Sequence, residues 1–175
     1  MKASSTVGMG AALLLAMATM ARAEDACAGF HWNVSQERAL FATRPDALSP
    51  GSNPTSAPLI RADHLYEWTV LPQETVTFAV APGKKITDGA HAGLARLRLD
   101  AAGIYRVSLD QPFWVDVVAD GKVIPSKDFQ DAPGCQTPHK IVEFELPAGK
   151  ELLIQLSRAT DPRVRMTVTR APRGE

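Results

Sequence analysis

From Tyr66 onward, apolar and polar residues alternate through a series of short runs. "YEWTV" sets Tyr66, Trp68 and Val70 on one side, and "TVTFAV" does the same with Val76, Phe78 and Val80. "ARLRL" opposes Leu97 and Leu99 to Arg96 and Arg98, and "YRVSL" aligns Tyr105, Val107 and Leu109. "IVEFEL" sets Val142, Phe144 and Leu146 against Glu143 and Glu145, and "RVRMTVTR" sets Val164, Met166 and Val168 against arginines and threonines. A period of two with polar residues opposite marks strands half buried in an antiparallel sheet. Turn residues punctuate the runs: "LPQE", "APGKK", "DAAG", "DQP", "ADGK" and "PAGK". The Asp-Gly pair at 120–121, between two apolar runs, predicts a two-residue hairpin. The prediction is an all-β fold, a single antiparallel β-sandwich of jelly-roll or Greek-key type.

Ahead of these strands the pattern dissolves. Residues 42–63, "ATRPDALSPGSNPTSAPLIRAD", are rich in Pro, Ser, Ala and Asp without periodicity and read as a linker. "WNVSQERALF" (32–41) fits a short helix started by Asn33 or Ser35, or an edge strand. The 16 residues "PSKDFQDAPGCQTPHK" (125–140) read as a long loop. "LDAAGIY" (99–105) has the spacing of a tyrosine corner, which makes Tyr105 a marker of fold, its hydroxyl capping the preceding turn.

The N-terminus adds a compartment. Lys2, an apolar run over 7–20 and "ARA" at 21–23 compose a secretory signal peptide. The apolar run is shorter than the about 20 residues a spanning helix needs. Cleavage after Ala23 leaves a chain starting at Glu24, periplasmic or secreted, with no membrane span. The expected division is therefore a signal peptide at 1–23, an N-terminal segment and linker at 24–63 pinned to the sheet, and the sandwich at 64–175. The whole chain carries 19 basic and 19 acidic residues, and loss of Lys2 and Arg22 leaves a formal charge of −2. Without a basic stripe, nucleic acid is not an expected partner.

Candidate chemistry is sparse. Cys27 and Cys135, the only cysteines, each precede a histidine by four residues, His31 and His139. All four together suit tetrahedral zinc. On a strand, however, residues four apart lie roughly 13 Å from each other, so both pairs would have to sit on turns. In an exported chain the same two cysteines are expected to form a disulfide. Closing a loop of about 100 residues stabilises by roughly 4–5 kcal/mol in the chain-entropy model.

A second constellation surrounds "FWVDVV" (113–118). In strand geometry Trp114 and Asp116 share the face opposite Phe113, Val115 and Val117. With Lys127, Asp128 and His139 of the following loop they form the candidate binding set: an aromatic platform beside a carboxylate, on a rigid sandwich. The competing reading has Trp114 covering a second core layer. An iron triad would need two histidines and a carboxylate. The chain has no H-x-H pair, so His64 with Glu67, His91 and His139 would have to assemble from separate loops. There is no G-x-S-x-G elbow or glycine-rich phosphate loop. His91 in "DGAHAG" reads as a solvated loop histidine.

"CAGFHWNVSQERALF", "GIYRVSLDQPFWVDVV" and "PHKIVEFELPAG" together resemble a family of small exported proteobacterial proteins of unestablished activity. Some members carry the name homogentisate 1,2-dioxygenase. That name implies a non-haem iron oxygenase, for which His64, His91 and His139 are the available ligands. More distantly, "LDAAGIYRVSL" followed by "WVDVV" is similar to pre-peptidase C-terminal β-sandwich domains, which implies an accessory or binding module. The functional expectation is an exported binding or envelope-associated module without evident catalytic machinery or cofactor, its partner an unknown ligand or envelope component. A metal-dependent oxygenase is the alternative.

Overall fold

The computed structural model describes residue 27, residues 29–85 and residues 87–172. The expected signal peptide and the start at Glu24 lie outside the described residues. Among the described residues the chain forms one short α-helix, α1 (Ser35–Phe41), a single 3-10 turn at Gln73–Thr75, and twelve strands. These are β1 (Asp46–Leu48), β2 (Leu59–Ile60), β3 (Tyr66–Thr69), β4 (Leu71–Pro72), β5 (His91–Arg98) and β6 (Gly103–Leu109). They continue as β7 (Trp114–Ala119), β8 (Lys122–Ile124), β9 (Ser126–Asp131), β10 (Lys140–Leu146), β11 (Glu151–Ala159) and β12 (Arg163–Arg170). One sheet runs β1-β3-β12-β6-β10-β9 and the other β2-β5-β11-β7-β8, with β4 also paired to β5. We call them the first and second sheets. Pairing is antiparallel except at β1 with β3 and β2 with β5, the two short strands contributed by the 42–63 segment. The fold is an all-β sandwich, as the alternation predicts.

The inward faces bury the residues that alternate in the sequence. Trp68, Leu97, Val107, Leu109, Phe113, Phe144, Ile154 and Met166 are all buried in one cluster between the sheets. Burying side chains of this size stabilises by roughly 1.5–3 kcal/mol each. Packing here tolerates no extra atom at Gly93. A Cβ there would come within 2.6 Å of Val70 Cγ1 and 3.1 Å of the Trp68 ring. The Tyr105 hydroxyl donates to Ala101 O at 2.9 Å, closing the tyrosine corner. Asp120 and Gly121 both take positive φ, 49° and 72°, at the β7–β8 hairpin. This is the pair of left-handed positions that a type I′ turn requires.

Besides the two short strands within 42–63, three stretches differ from the sequence reading. Residues 125–140 are not one long loop: β9 occupies six of them as the outer strand of the first sheet. Its side chains are nearly all exposed, so no apolar alternation announces it. The "TVTFAV" run is not a strand, although Val76, Phe78 and Val80 do point inward and Thr77 and Ala79 outward. The third is β11, "ELLIQLSRA", the central strand of the second sheet. Leu152 to Ser157 are all buried, because a second layer covers the outer face as well. Burial on both faces erases the alternation. Residues 35–41, open between helix and strand, are helical, and Asn33 Oδ1 accepts the Ser35 N–H at 3.0 Å at the helix start.

Candidate functional site

The outer face of the second sheet carries Trp114, Asp116 and Val118 from β7, Leu153, Gln155 and Ser157 from β11, and Leu94 from β5. A strap, residues 71–83, lies across it. Val76 packs with Leu94, Val118 and Leu153 in a second apolar cluster, against which Phe78 and Val80 rest. Beyond β4 the strap joins no strand ladder; the Thr77 N–H donates to Ser52 O at 2.8 Å, and side chains of the sheet hold the backbone that follows. Gln155 Oε1 accepts the N–H groups of Ala79 (2.8 Å) and Val80 (3.4 Å), and Gln155 Nε2 donates to Val80 O (3.0 Å). Asp116 Oδ2 accepts the Gly83 N–H at 3.0 Å, while Oδ1 accepts the Trp114 indole N–H at 3.0 Å. Lys84 Nζ stands 5.2 Å from the Trp114 ring centroid. Asp116 is buried with both oxygens engaged. The pair anticipated as a ligand platform is thus roofed by the chain itself, and the Asp116 carboxylate serves as the strap's anchor.

A matching cover lies on the outer face of the first sheet. Cys27 is bonded to Cys135, closing a separation of 108 residues. From there the N-terminal segment crosses the sheet towards α1. Gln130 accepts the His31 N–H at 3.0 Å and donates its amide to Gly29 O. His31 Nε2 meets Asp128 Oδ2 at 3.1 Å. Beneath the segment, Arg106 is fully buried. It donates from Nε to Glu143 Oε1 (2.8 Å) and from Nη1 to Asn33 O (2.9 Å), with Glu37 Oε1 at 3.7 Å. The Trp32 ring lies 5.1 Å from the guanidinium. Thr169 Oγ1 donates to Glu37 Oε1 at 2.6 Å. Arg106 is therefore a structural cation clamped between two carboxylates and an aromatic face. Nothing in the alternation of "YRVSL" sets this buried arginine apart from Arg98 or Arg163, which are exposed in other alternating runs.

The remaining members of the predicted binding set lie elsewhere. Lys127 and Asp128 are exposed on β9, in the first sheet, away from Trp114 and Asp116 in the second. His139 sits in the approach to β10, its N–H donating to Leu109 O and its carbonyl accepting from Ala132. The structure does not gather the five residues at one place.

What β9 offers is an edge. It pairs with β10 on one side, and it ends the order of strands on the other. The Ala132 N–H donates to His139 O. Because bonding direction alternates along an antiparallel strand, Gln130 and Asp128 face β10 while Phe129 and Asp131 face outward. The Phe129 N–H is not in the ladder; Asp128 Oδ1 accepts it at 2.8 Å. Phe129 is 60% exposed, the most exposed large apolar side chain among the described residues. Lys140 Nζ lies 5.5 Å from its ring centroid and 3.1 Å from Asp131 Oδ1. The ladder shifts register between Glu143 and Phe144, opposite Lys127, as at a β-bulge.

A cleft of about 150 Å³ lies beside β3, β12 and the end of β6, lined by Glu67, Asp110, Gln111, Asp161, Arg163, Val164 and Arg165. Small-molecule sites commonly occupy about 300–1,000 Å³. Asp110 is spent on Arg165, accepting its backbone N–H at 2.7 Å and its Nε at 2.8 Å. Asp161 accepts the Arg163 N–H at 2.8 Å. The cleft is small and its acids are internally paired.

The histidines proposed for iron do not fit a shared ion. His64 stacks beside Tyr66, 6.2 Å between centroids, with Nδ1 3.0 Å from Ala62 O. His91 opens β5 in the other sheet, and His139 precedes β10. Among the described residues, no three His, Cys, Asp or Glu side chains converge as metal ligands. The zinc set fails on the bond between its two cysteines. No helix among the described residues is long and apolar enough to cross a membrane. No protein-family model matches the chain, and no curated protein matches it.

Proposed function

We propose that the protein is an exported binding or envelope-associated module that engages its partner through the β9 edge. The observation that carries this reading is Phe129. Sheet edges are normally blunted with charge, proline or bulges, since a bare edge templates pairing with another chain. A bulge is present at Lys127, yet a large aromatic stands exposed in the middle of the same strand. An edge presenting outward backbone groups and one apolar anchor suits β-augmentation, in which an extended segment adds as a further strand.

Rigidity supports the same reading. The segment after β9 is tied by Cys135 to Cys27, and Lys140–Asp131 and the Gln130 bonds brace the strand itself. A braced edge loses little conformational entropy on binding. The signal-peptide pattern and the disulfide both favour a periplasmic or extracellular setting. The oxygenase alternative gains no support from the placement of His64, His91 and His139.

Site-specific photo-crosslinking in producing cells tests the proposal. A photoreactive residue at Phe129 should yield discrete adducts. The same residue at Leu59, 58% exposed on the opposite edge of the sandwich, should yield none. Absence of any adduct at 129, or equal adducts at both positions, overturns the assignment of β9 as the docking edge.

A further inference from the structure

We infer that the β9 edge pairs with β9 of a second copy of this chain, antiparallel and two-fold symmetric about Phe129. The inference rests on β9 being the docking edge, and it deepens that reading by naming the occupant.

The strand reads Ser126-Lys127-Asp128-Phe129-Gln130-Asp131. Set two such strands antiparallel with Phe129 opposite Phe129 of the second copy. Lys127 then lies opposite Asp131 of the second copy, and Asp131 opposite its Lys127. Gln130 faces Asp128 of the second copy in the same way. Every charged residue in the outward-facing row meets its opposite, and the exposed ring meets an identical ring. Directly opposed aromatic and opposite-charge pairs are the favourable cross-strand combinations, and like charges the unfavourable ones. Moving the axis one residue, to Asp128, would oppose two identical carboxylates.

The backbone agrees with the side chains. Phe129 directs its N–H and C=O away from β10, so a two-fold at this residue creates a hydrogen-bonded pair that exchanges both bonds. The twist of β9 continues into the second copy, giving one sheet of twelve strands across the dimer. Asp128 supplies a control on this contact. Its carboxylate caps the Phe129 N–H and is itself held by His31 Nε2. Pairing requires that carboxylate to turn aside, which is possible because its side chain is 51% exposed. The cap competes with the central bond and limits edge pairing in the isolated chain. Two-fold closure also uses up both edges at once, so the assembly stops at a dimer and does not extend into fibres.

The test uses the processed protein purified with its disulfide intact. Light scattering over a concentration series should give twice the chain mass at the high end. Lys127→Asp places like charges opposite one another at both ends of the pairing and should give a monomer. Asp128→Ala removes the cap and should shift the dimer to at least several-fold lower concentration. Phe129→Cys should form an intermolecular disulfide spontaneously, since Cα atoms of a hydrogen-bonded pair lie about 5.5 Å apart, inside the range a disulfide spans. Lys127→Cys, four positions off register from its own copy, should not. Circular dichroism confirms that each variant keeps the fold. A wild-type chain monomeric at every concentration overturns the inference, as does a dimer indifferent to Lys127→Asp or one that Phe129→Cys does not cross-link. In producing cells, adducts at 129 only to other proteins would overturn self-pairing and leave the docking edge standing. No adduct at all would overturn both.

Discussion

Arg106 shows what a single residue can hide. Its place in an alternating run suggests a solvated outward side chain, and outward it is. The N-terminal segment then covers it, leaving a cation between Glu37 and Glu143 with almost no access to water. Removing one partner of a buried ion pair leaves charge without compensation, typically costing about 3–5 kcal/mol. Arg106→Met is expected to lower unfolding stability by an amount in that range, read as a fall in the urea midpoint. Arg165→Met, which breaks the partly exposed pair with Asp110, should cost clearly less. Equal losses would show that burial is not what gives Arg106 its weight. Asp116 teaches the same lesson from the side of function. A tryptophan and an aspartate two apart on an outward strand face look like a recognition platform. Their oxygens and indole are consumed by each other and by Gly83.

Among the elements, the 71–83 strap is the most informative. Its alternation correctly sorts Val76, Phe78 and Val80 inward, but a strand also needs a ladder, and here a glutamine side chain takes the ladder's place. Gln155→Ala should remove the three bonds to Ala79 and Val80 and leave those backbone groups unpaired. Net hydrogen bonds stabilise by about 0.5–1.5 kcal/mol each, so three of them correspond to a loss of about 1.5–4.5 kcal/mol. Hydrogen exchange should quicken at residues 76–83 before the sheets are affected. Exchange that changes uniformly over the whole sandwich would show that the strap is not a separate unit. β9 and β11 were both illegible in the sequence, for opposite reasons. One is exposed along nearly its whole length because it is an edge, and the other is buried on both faces because two layers enclose it. Alternation reports only strands buried on one side.

For the whole molecule, the covalent clasp decides how the covers stay in place. Cys27–Cys135 joins the N-terminal segment to the turn before β10 across 108 residues of chain. A loop of that length corresponds to about 4–5 kcal/mol of denatured-state entropy. The double variant Cys27→Ser/Cys135→Ser is expected to lose about that much in urea unfolding, with faster exchange through residues 29–41. A loss below about 1 kcal/mol would mean that Arg106, Gln130 and α1 hold the segment without help. The clasp also braces the turn that follows β9, so the same variant should weaken association through that edge.

The all-β class, the inward face of each half-buried strand, the tyrosine corner and the Asp-Gly hairpin were determined by the sequence alone. Each depends on residues within one strand or one turn, where periodicity and backbone preference act locally. The cysteine pairing was legible from compartment and count. Which strands neighbour one another, which outward faces are roofed, and which strand is left as an open edge were decided only by the tertiary structure. These depend on contacts between residues as far apart as 27 and 135 or 79 and 155, and no local pattern records them. The candidate site moved from Trp114 and Asp116 to Phe129 for that reason: a side chain's availability is settled by whatever else the chain lays across it.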